Sequence, residues 1–223
     1  MKIINNPLTT DYHIHSNTFS DGMSDIDAIV AYAKIIGLER IAITDHSRAV
    51  SEHYKEKKTP RGIVSRWRNV HNDVDVSFGI EGDILNLFGD VCVDIAKHRG
   101  KPLILSLHKE VYGVEMSEVT QAYIRAIEKN FSEITMLGHI HLKESSKFLD
   151  IESVIKLVNR HAIPLEINCG AIVRELSNEE ILEQILLKTD RCYINSDAHT
   201  LNEMRDNKVS ALVYLKKRFS LNI

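Results

Sequence analysis

Two periods alternate along the chain. Short apolar runs rich in Ile, Leu and Val occur at 10–15, 40–45, 75–81, 103–108, 134–140, 163–168 and 192–196, the pattern of strands buried on both faces of a parallel sheet. Between them lie stretches whose apolar residues recur every three to four positions, as on a helix packed by one face. In 24–36 that stripe is Ile26, Ile29, Val30, Ala33 and Ile36, with Ser24 placed to cap the start and Gly37 to end it. Segments 117–130, 150–161, 178–188 and 201–217 repeat the period. No internal repeat, low-complexity stretch or linker interrupts the 223 residues, so 1–223 reads as a single α/β domain. Strand–helix alternation predicts a parallel sheet.

The strand ends carry the chemistry. Asp11-Tyr12-His13-Ile14-His15, Ile43-Thr44-Asp45-His46, Gly79-Ile80-Glu81, Leu105-Ser106-Leu107-His108, Leu137-Gly138-His139-Ile140-His141 and Asn195-Ser196-Asp197-Ala198-His199 all finish on metal-ligand types. An open doubly wound sheet gathers its site at one switch point, whereas a closed barrel assembles it from many strand ends. The series therefore predicts a seven-stranded barrel. Side chains alternate along a strand, so His13 and His15 face one way, and Asp197 and His199 share parity if the strand runs that far. By the same parity His141 joins His139 and is expected to support the site or contact substrate. Imidazoles and carboxylates together suit Zn, Mn or Fe. Asp45 is expected either to orient an imidazole or to cap the turn after its strand.

Composition narrows the options. A hydrophobic content of 43% supports a full core, and a net charge of −3 provides no broad basic field for duplex binding. Cys92, Cys169 and Cys192 are odd in number and lack CxxC spacing, which argues against a disulfide framework and predicts a reduced, cytoplasmic location. No apolar run approaches membrane-spanning length. One segment, 47–72, is long for a strand–helix connection and strongly basic. It sets Arg48, Lys55, Lys57, Lys58, Arg61, Arg66 and Arg68 against Glu52 and Glu56 and holds the sole tryptophan, Trp67. It reads as a solvated loop and surface helix, or as a lid that draws an anionic substrate to the mouth, with Arg48 a substrate contact.

Taken in order, HxH, Ser20-Asp21-Gly22, Thr-Asp-His, Gly-Ile-Glu, a strand-final His, Gly-His and Ser-Asp-Ala-His resemble the PHP family of polymerases and histidinol phosphatases. The resemblance runs from about His13 to His199. It implies a distorted TIM-like (β/α)7 barrel holding two or three divalent ions. Carried over by position, His13, His15, Glu81 and Asp197 bind the first ion; Glu81 bridges to a second held by His108 and His139; Asp21, His46 and His199 hold a third. Glu81, Asp197 and His199 are the expected catalytic set. The chemistry implied is in-line attack of a metal-bridging hydroxide on a small phosphomonoester. Glu166-Ile167-Asn168-Cys169-Gly170-Ala171-Ile172-Val173-Arg174 resembles a phosphate-holding stretch of histidinol phosphatases, with Arg174 displaced by one residue and the following Tyr-Pro missing. Arg174 is expected to clamp phosphate. Cys169, without a base partner, is not expected to be a nucleophile. Histidinol-phosphate phosphatase, a 3′-end nuclease using the basic segment and Trp67, and a PHP scaffold without chemistry are the alternatives. His53, His71, His98 and His161 are expected outside the site.

Overall fold

The computed structural model describes residues 1–54, 73–95, 97–113 and 115–221. Its strands are β1 (Lys2–Ile3), β2 (Thr10–Ile14), β3 (Arg40–Ile43), β4 (Asp75–Phe78), β5 (Ile80–Ile84), β6 (Val91–Cys92), β7 (Leu103–Ser106), β8 (Met136–Leu137), β9 (Leu165–Asn168) and β10 (Arg191–Asn195). They form one sheet in the order β1-β10-β9-β8-β7-β5-β6 and a second in the order β2-β3-β4. Every ladder is parallel except β5–β6. Ile104, Leu105, Leu137, Leu165, Ile167 and Ile194 are fully buried, which is why these strands read as unbroken apolar runs.

The run at 75–81 is two strands, not one. Gly79 lies where the backbone passes against Pro102 and Thr44: a Cβ there would sit 2.3 Å from Pro102 O and 2.8 Å from Thr44 Cγ2. Below this crossing β4 pairs with β3; above it β5 pairs with β7. Seven parallel staves thus follow one another as β2, β3, β4/β5, β7, β8, β9 and β10, a distorted TIM-like arrangement. Single bridges, His46–Glu81 and Ile14–Ala198, join the two sheets at the strands' C-terminal ends. Side chains help span the gap between β10 and the N-terminal segment. Asn5 Nδ2 donates to Ile194 O (2.9 Å) and Ile194 N to Asn5 Oδ1 (3.0 Å), while Tyr12 N donates to Asn195 Oδ1 (3.2 Å).

Helices Ile26–Ile35, Val119–Asn130, Ile151–His161, Glu179–Lys188 and Glu203–Phe219 cover the strands. Asp25, one residue after Ser24, caps the first by accepting from Ala28 N; Asp150 and Asn178 cap the third and fourth. The helices Arg48–His53, Lys143–Ser146 and Cys169–Val173 follow strand ends and are too short to leave a periodic signature. Residues 55–72, which hold most of the basic segment and Trp67, lie outside the described residues, as does the lid reading. None of the described helices is long and apolar enough to cross a membrane. The three cysteines are free and buried.

Candidate metal centre

The end of β2 delivers His13 and His15 with their Nε2 atoms 3.1 Å apart. Each ring is held from behind: His13 Nδ1 donates to Glu166 Oε1 (2.8 Å), and His15 Nδ1 lies 3.2 Å from Ser20 Oγ. A carboxylate on Nδ1 fixes the tautomer whose lone pair is on Nε2. Both Nε2 atoms turn towards one point, where Asp197 Oδ1 stands 3.5 Å from His13 and 3.4 Å from His15.

Glu81, on β5, is 1% exposed and central. Its Oε1 lies 2.7 Å from His139 Nε2, 3.5 Å from His108 Nε2 and 3.6 Å from His13 Nε2. Its Oε2 lies 2.9 Å from His46 Nδ1 and 3.5 Å from His15 Nε2. His46 Nδ1 and Glu81 Oε2 are both buried without a hydrogen-bond partner, although they are this close. Two such orphaned ligand atoms side by side suit a shared cation better than each other. His108 is oriented by Asp83, whose Oδ1 accepts from Nδ1 at 2.6 Å. Asp21 Oδ1 is 3.5 Å from His46 Nε2 and 3.4 Å from His199 Nε2.

Three overlapping groups have ligand atoms mutually within 4.8 Å: His15, Asp21, His46 and His199; His13, His15 and Asp197; His46, Glu81 and His108. The nitrogen and oxygen donors fit Zn, Mn or Fe. His139 falls outside these groups yet touches Glu81, so the structure gathers all nine expected ligands at one end of the strands. Burial works against ionisation throughout, but neighbours decide the outcome. Glu166, Asp197 and Glu81 outweigh burial and raise His13 well above the usual imidazole range, so the Nε2 proton is the one a bound cation would displace. His108, His13 and His46 likewise keep Glu81 ionised well below the usual carboxylate range, and His13, His15 and His199 do so for Asp197. Burial, then His46 and His199, push His15 down to about 3.

The cluster floors a cavity of about 290 Å³ whose rim includes Tyr54, Glu110, Leu142, Arg174 and Leu176. Arg174 ends the helix Cys169–Val173, with Nε donating to Gly170 O at 3.2 Å and Nη2 3.5 Å from Asp197 Oδ2. The substrate contacts expected of His141 and Arg48, and the roles expected of Asp45, are corrected here. His141 is fully buried and off the cavity: its Nε2 accepts from Asn168 N at 3.0 Å, and its Nδ1 is 3.0 Å from Ser177 Oγ. Parity failed because β8 ends at Leu137 and His139 has φ 23°, so strand alternation has stopped before both histidines. Arg48 faces away from the cavity, its guanidinium 2.9 Å from Glu52 and 3.5 Å from Asp94. Asp45 fits neither of its two readings: among the described residues it contacts no imidazole by hydrogen bond and, instead of capping the turn after its own strand, accepts from Ser16 N and Ser16 Oγ in the loop after β2, each at 2.6 Å.

No role was expected of Asp83 or Glu166, although Glu166 opens the stretch that ends at Arg174. Each is an acidic residue inside a buried strand, which is the signal that points to them. Cys169 is buried, with its thiol pushed up by burial. His53 and His98 are exposed and His161 is partly buried, all away from the cluster; His71 lies outside the described residues.

The PHP domain family model matches residues 11–196, and the chain belongs to that family. Among curated proteins, a probable phosphatase of Enterobacter sp. (strain 638) is 26% identical over 178 residues, 76% of this chain and 68% of the relative. Probable phosphatase YcdX of Escherichia coli (strain K12 / DH10B) is 24% identical over 181 residues, with the same shares. Among solved structures, the histidinol phosphate phosphatase of Lactococcus lactis, complexed with zinc, L-histidinol and phosphate, superposes with a TM-score of 0.59. It is 16% identical, over 99% of this chain and 95% of that one. A putative histidinol phosphatase from Listeria monocytogenes gives 0.58 at 13% identity, over 91% and 99%.

Proposed function

We propose that the chain is a metal-dependent phosphoesterase acting on a small phosphomonoester. The observation that carries this reading is Glu81, one buried carboxylate reaching imidazoles from His13, His15, His46, His108 and His139 at the floor of a cavity. The phosphatase names of the curated relatives, and the zinc and phosphate of the Lactococcus structure, support it. His13, His15, Glu81 and Asp197 would hold a first divalent ion, Glu81, His108 and His139 a second, and Asp21, His46 and His199 a third. When bound, such ions supply water of lowered pKa and positive charge for the phosphoryl and leaving oxygens.

The chain's own residues do the rest. Glu81 turns one oxygen to each side of the cluster and so sets the spacing of the ligand groups. Asp197 faces His13 and His15 with Oδ1 and holds the Arg174 guanidinium with Oδ2. Arg174 thus stands at the cavity with its planar donors beside the place where a phosphate would lie, a geometry guanidinium matches in bidentate fashion. His199 is held by its Nδ1 contact to Asp197 O (3.1 Å), with Nε2 turned to Asp21. Histidinol phosphate is one member of this substrate class. The one-residue displacement of Arg174 and the missing Tyr-Pro set it no higher than other small monoesters.

The test is hydrolysis of an aryl phosphate and a phosphometabolite panel by chelator-stripped protein resupplied with Mn²⁺, Zn²⁺ or Fe²⁺. Turnover restored by at least one ion is expected. No turnover with any of them would leave a binding scaffold as the better account.

A further inference from the structure

We propose that Glu166 is a positioning residue that couples the His13 and His139 ends of the metal cluster, and that only a carboxylate can do so. The inference rests on the metal reading above. Glu166 is fully buried on β9. Its Oε1 accepts from His13 Nδ1 (2.8 Å) and Asn195 Nδ2 (2.9 Å); its Oε2 accepts from His139 N (3.0 Å) and Asn168 Nδ2 (3.1 Å). All four partners are donors. The two amides are pinned in that sense, because Asn195 Oδ1 accepts from Tyr12 N and Asn168 Oδ1 accepts from Ala171 N. His139 N is a backbone donor and has no alternative role.

Four inward donors need four acceptor lone pairs, and an ionised carboxylate supplies them. A glutamine of the same shape supplies one oxygen and one donor group, so it is wrong at one end whichever way it turns. At the His139 end, its NH₂ would face two donors that cannot reverse. At the other end His13 can reverse: Nδ1 becomes the acceptor and the ring proton moves to Nε2. That proton would occupy the lone pair His13 turns towards Asp197 and Glu81. Charge at position 166 therefore sets which nitrogen of His13 is free to ligate. The same carboxylate also holds the His139 backbone, at φ 23°, so that its Nε2 meets Glu81.

The test compares wild type with Glu166→Gln, both chelator-stripped, by zinc titration against a chromophoric competitor, with melting followed by circular dichroism. The tight zinc binding of the His13 group is expected to weaken about 10–100-fold, the range for losing a group that orients a metal-bound histidine. Binding by Asp21, His46 and His199, none of which contacts Glu166, is expected to keep its affinity. Equal affinities in a folded variant overturn the inference, and so does uniform weakening of every site in step with melting temperature, the mark of a merely structural role. A second measurement needs no variant. In zinc-loaded wild type, nitrogen-detected imidazole NMR should show His13 protonated at Nδ1 and shielded from exchange; a proton on Nε2 overturns the inference. Wild type that takes up no zinc, Mn²⁺ or Fe²⁺ overturns the metal reading itself, and this one with it.

Discussion

Replacing His141 with glutamine separates a buried structural histidine from a substrate contact. Burial pushes His141 down from 6.5 to about 4. The folded state therefore keeps the ring neutral while the unfolded chain protonates it near 6.5. Below that value the unfolded chain binds the extra proton, so stability falls as pH drops and the loss is complete near pH 4. At about 1.4 kcal/mol per pH unit, the histidine withdraws about 2 kcal/mol at pH 5 and about 3 kcal/mol at pH 4. Against the roughly 5–15 kcal/mol that holds an ordinary domain together, that is a large share. The geometry explains the penalty: Asn168 N donates to Nε2, and a proton there would set donor against donor. Glutamine presents an oxygen to Asn168 N and cannot be protonated. Urea unfolding of both proteins from pH 8 to 4 should show the Gln variant less stable near pH 8, by about 1 kcal/mol for imperfect hydrogen bonding. The curves should converge or cross on acidification. Taking the difference removes the titration shared with the other histidines. The KM for any hydrolysed monoester should not move. A KM raised tenfold, with parallel stability curves, would refute this reasoning and restore His141 as a substrate contact.

Further outcomes follow from the same contacts. His13→Ala and Glu81→Gln are each expected to abolish aryl-phosphate hydrolysis while circular dichroism shows the fold retained; near wild-type turnover in either would sink the site. Arg174→Glu should raise KM for phosphomonoesters more than it changes cleavage of a bis-aryl phosphodiester, and equal effects on the two would argue against a monoester clamp. Arg48→Ala, which among the described residues loses the pairs of a half-exposed guanidinium with Glu52 and Asp94, should leave kcat and KM within about twofold, since such pairs contribute little. A large rise in KM would return Arg48 to the mouth.

Much of the fold and of the candidate cluster was legible because both are written in strand ends. Buried parallel strands leave little freedom over where polar residues fall, so His13, His46, Glu81, His108, His139 and Asp197 stand out where apolar runs stop. What was illegible depends on how the chain leaves a strand. The run through Gly79 looks continuous, and only the close approach of Pro102 shows that it changes sheets there. Asp197, with φ 52°, and His139, with φ 23°, enter the cluster through left-handed turns that residue alternation does not describe. The same logic that worked for His13 and His15 therefore failed for His141. β1 and β6, two residues each, are too short for any pattern. Glu166 and Asp83 were hidden because their partners are distant in sequence, and a buried carboxylate declares its purpose only when its donors are seen.

The two sheets meet at seams, and each seam is crossed at the cluster. His13, His15 and His46 come from the three-stranded ladder, while Glu81, His108, His139, Asp197 and His199 come from the larger one or the loops that follow it. Ions held by such a set would act as rivets through a joint that, among the described residues, backbone pairing crosses at two single bridges and side chains such as Asn195 help to span. Chelation should then slacken the barrel as a hinged shell, opening along the β3–β5 and β2–β10 lines while each half keeps its own weave.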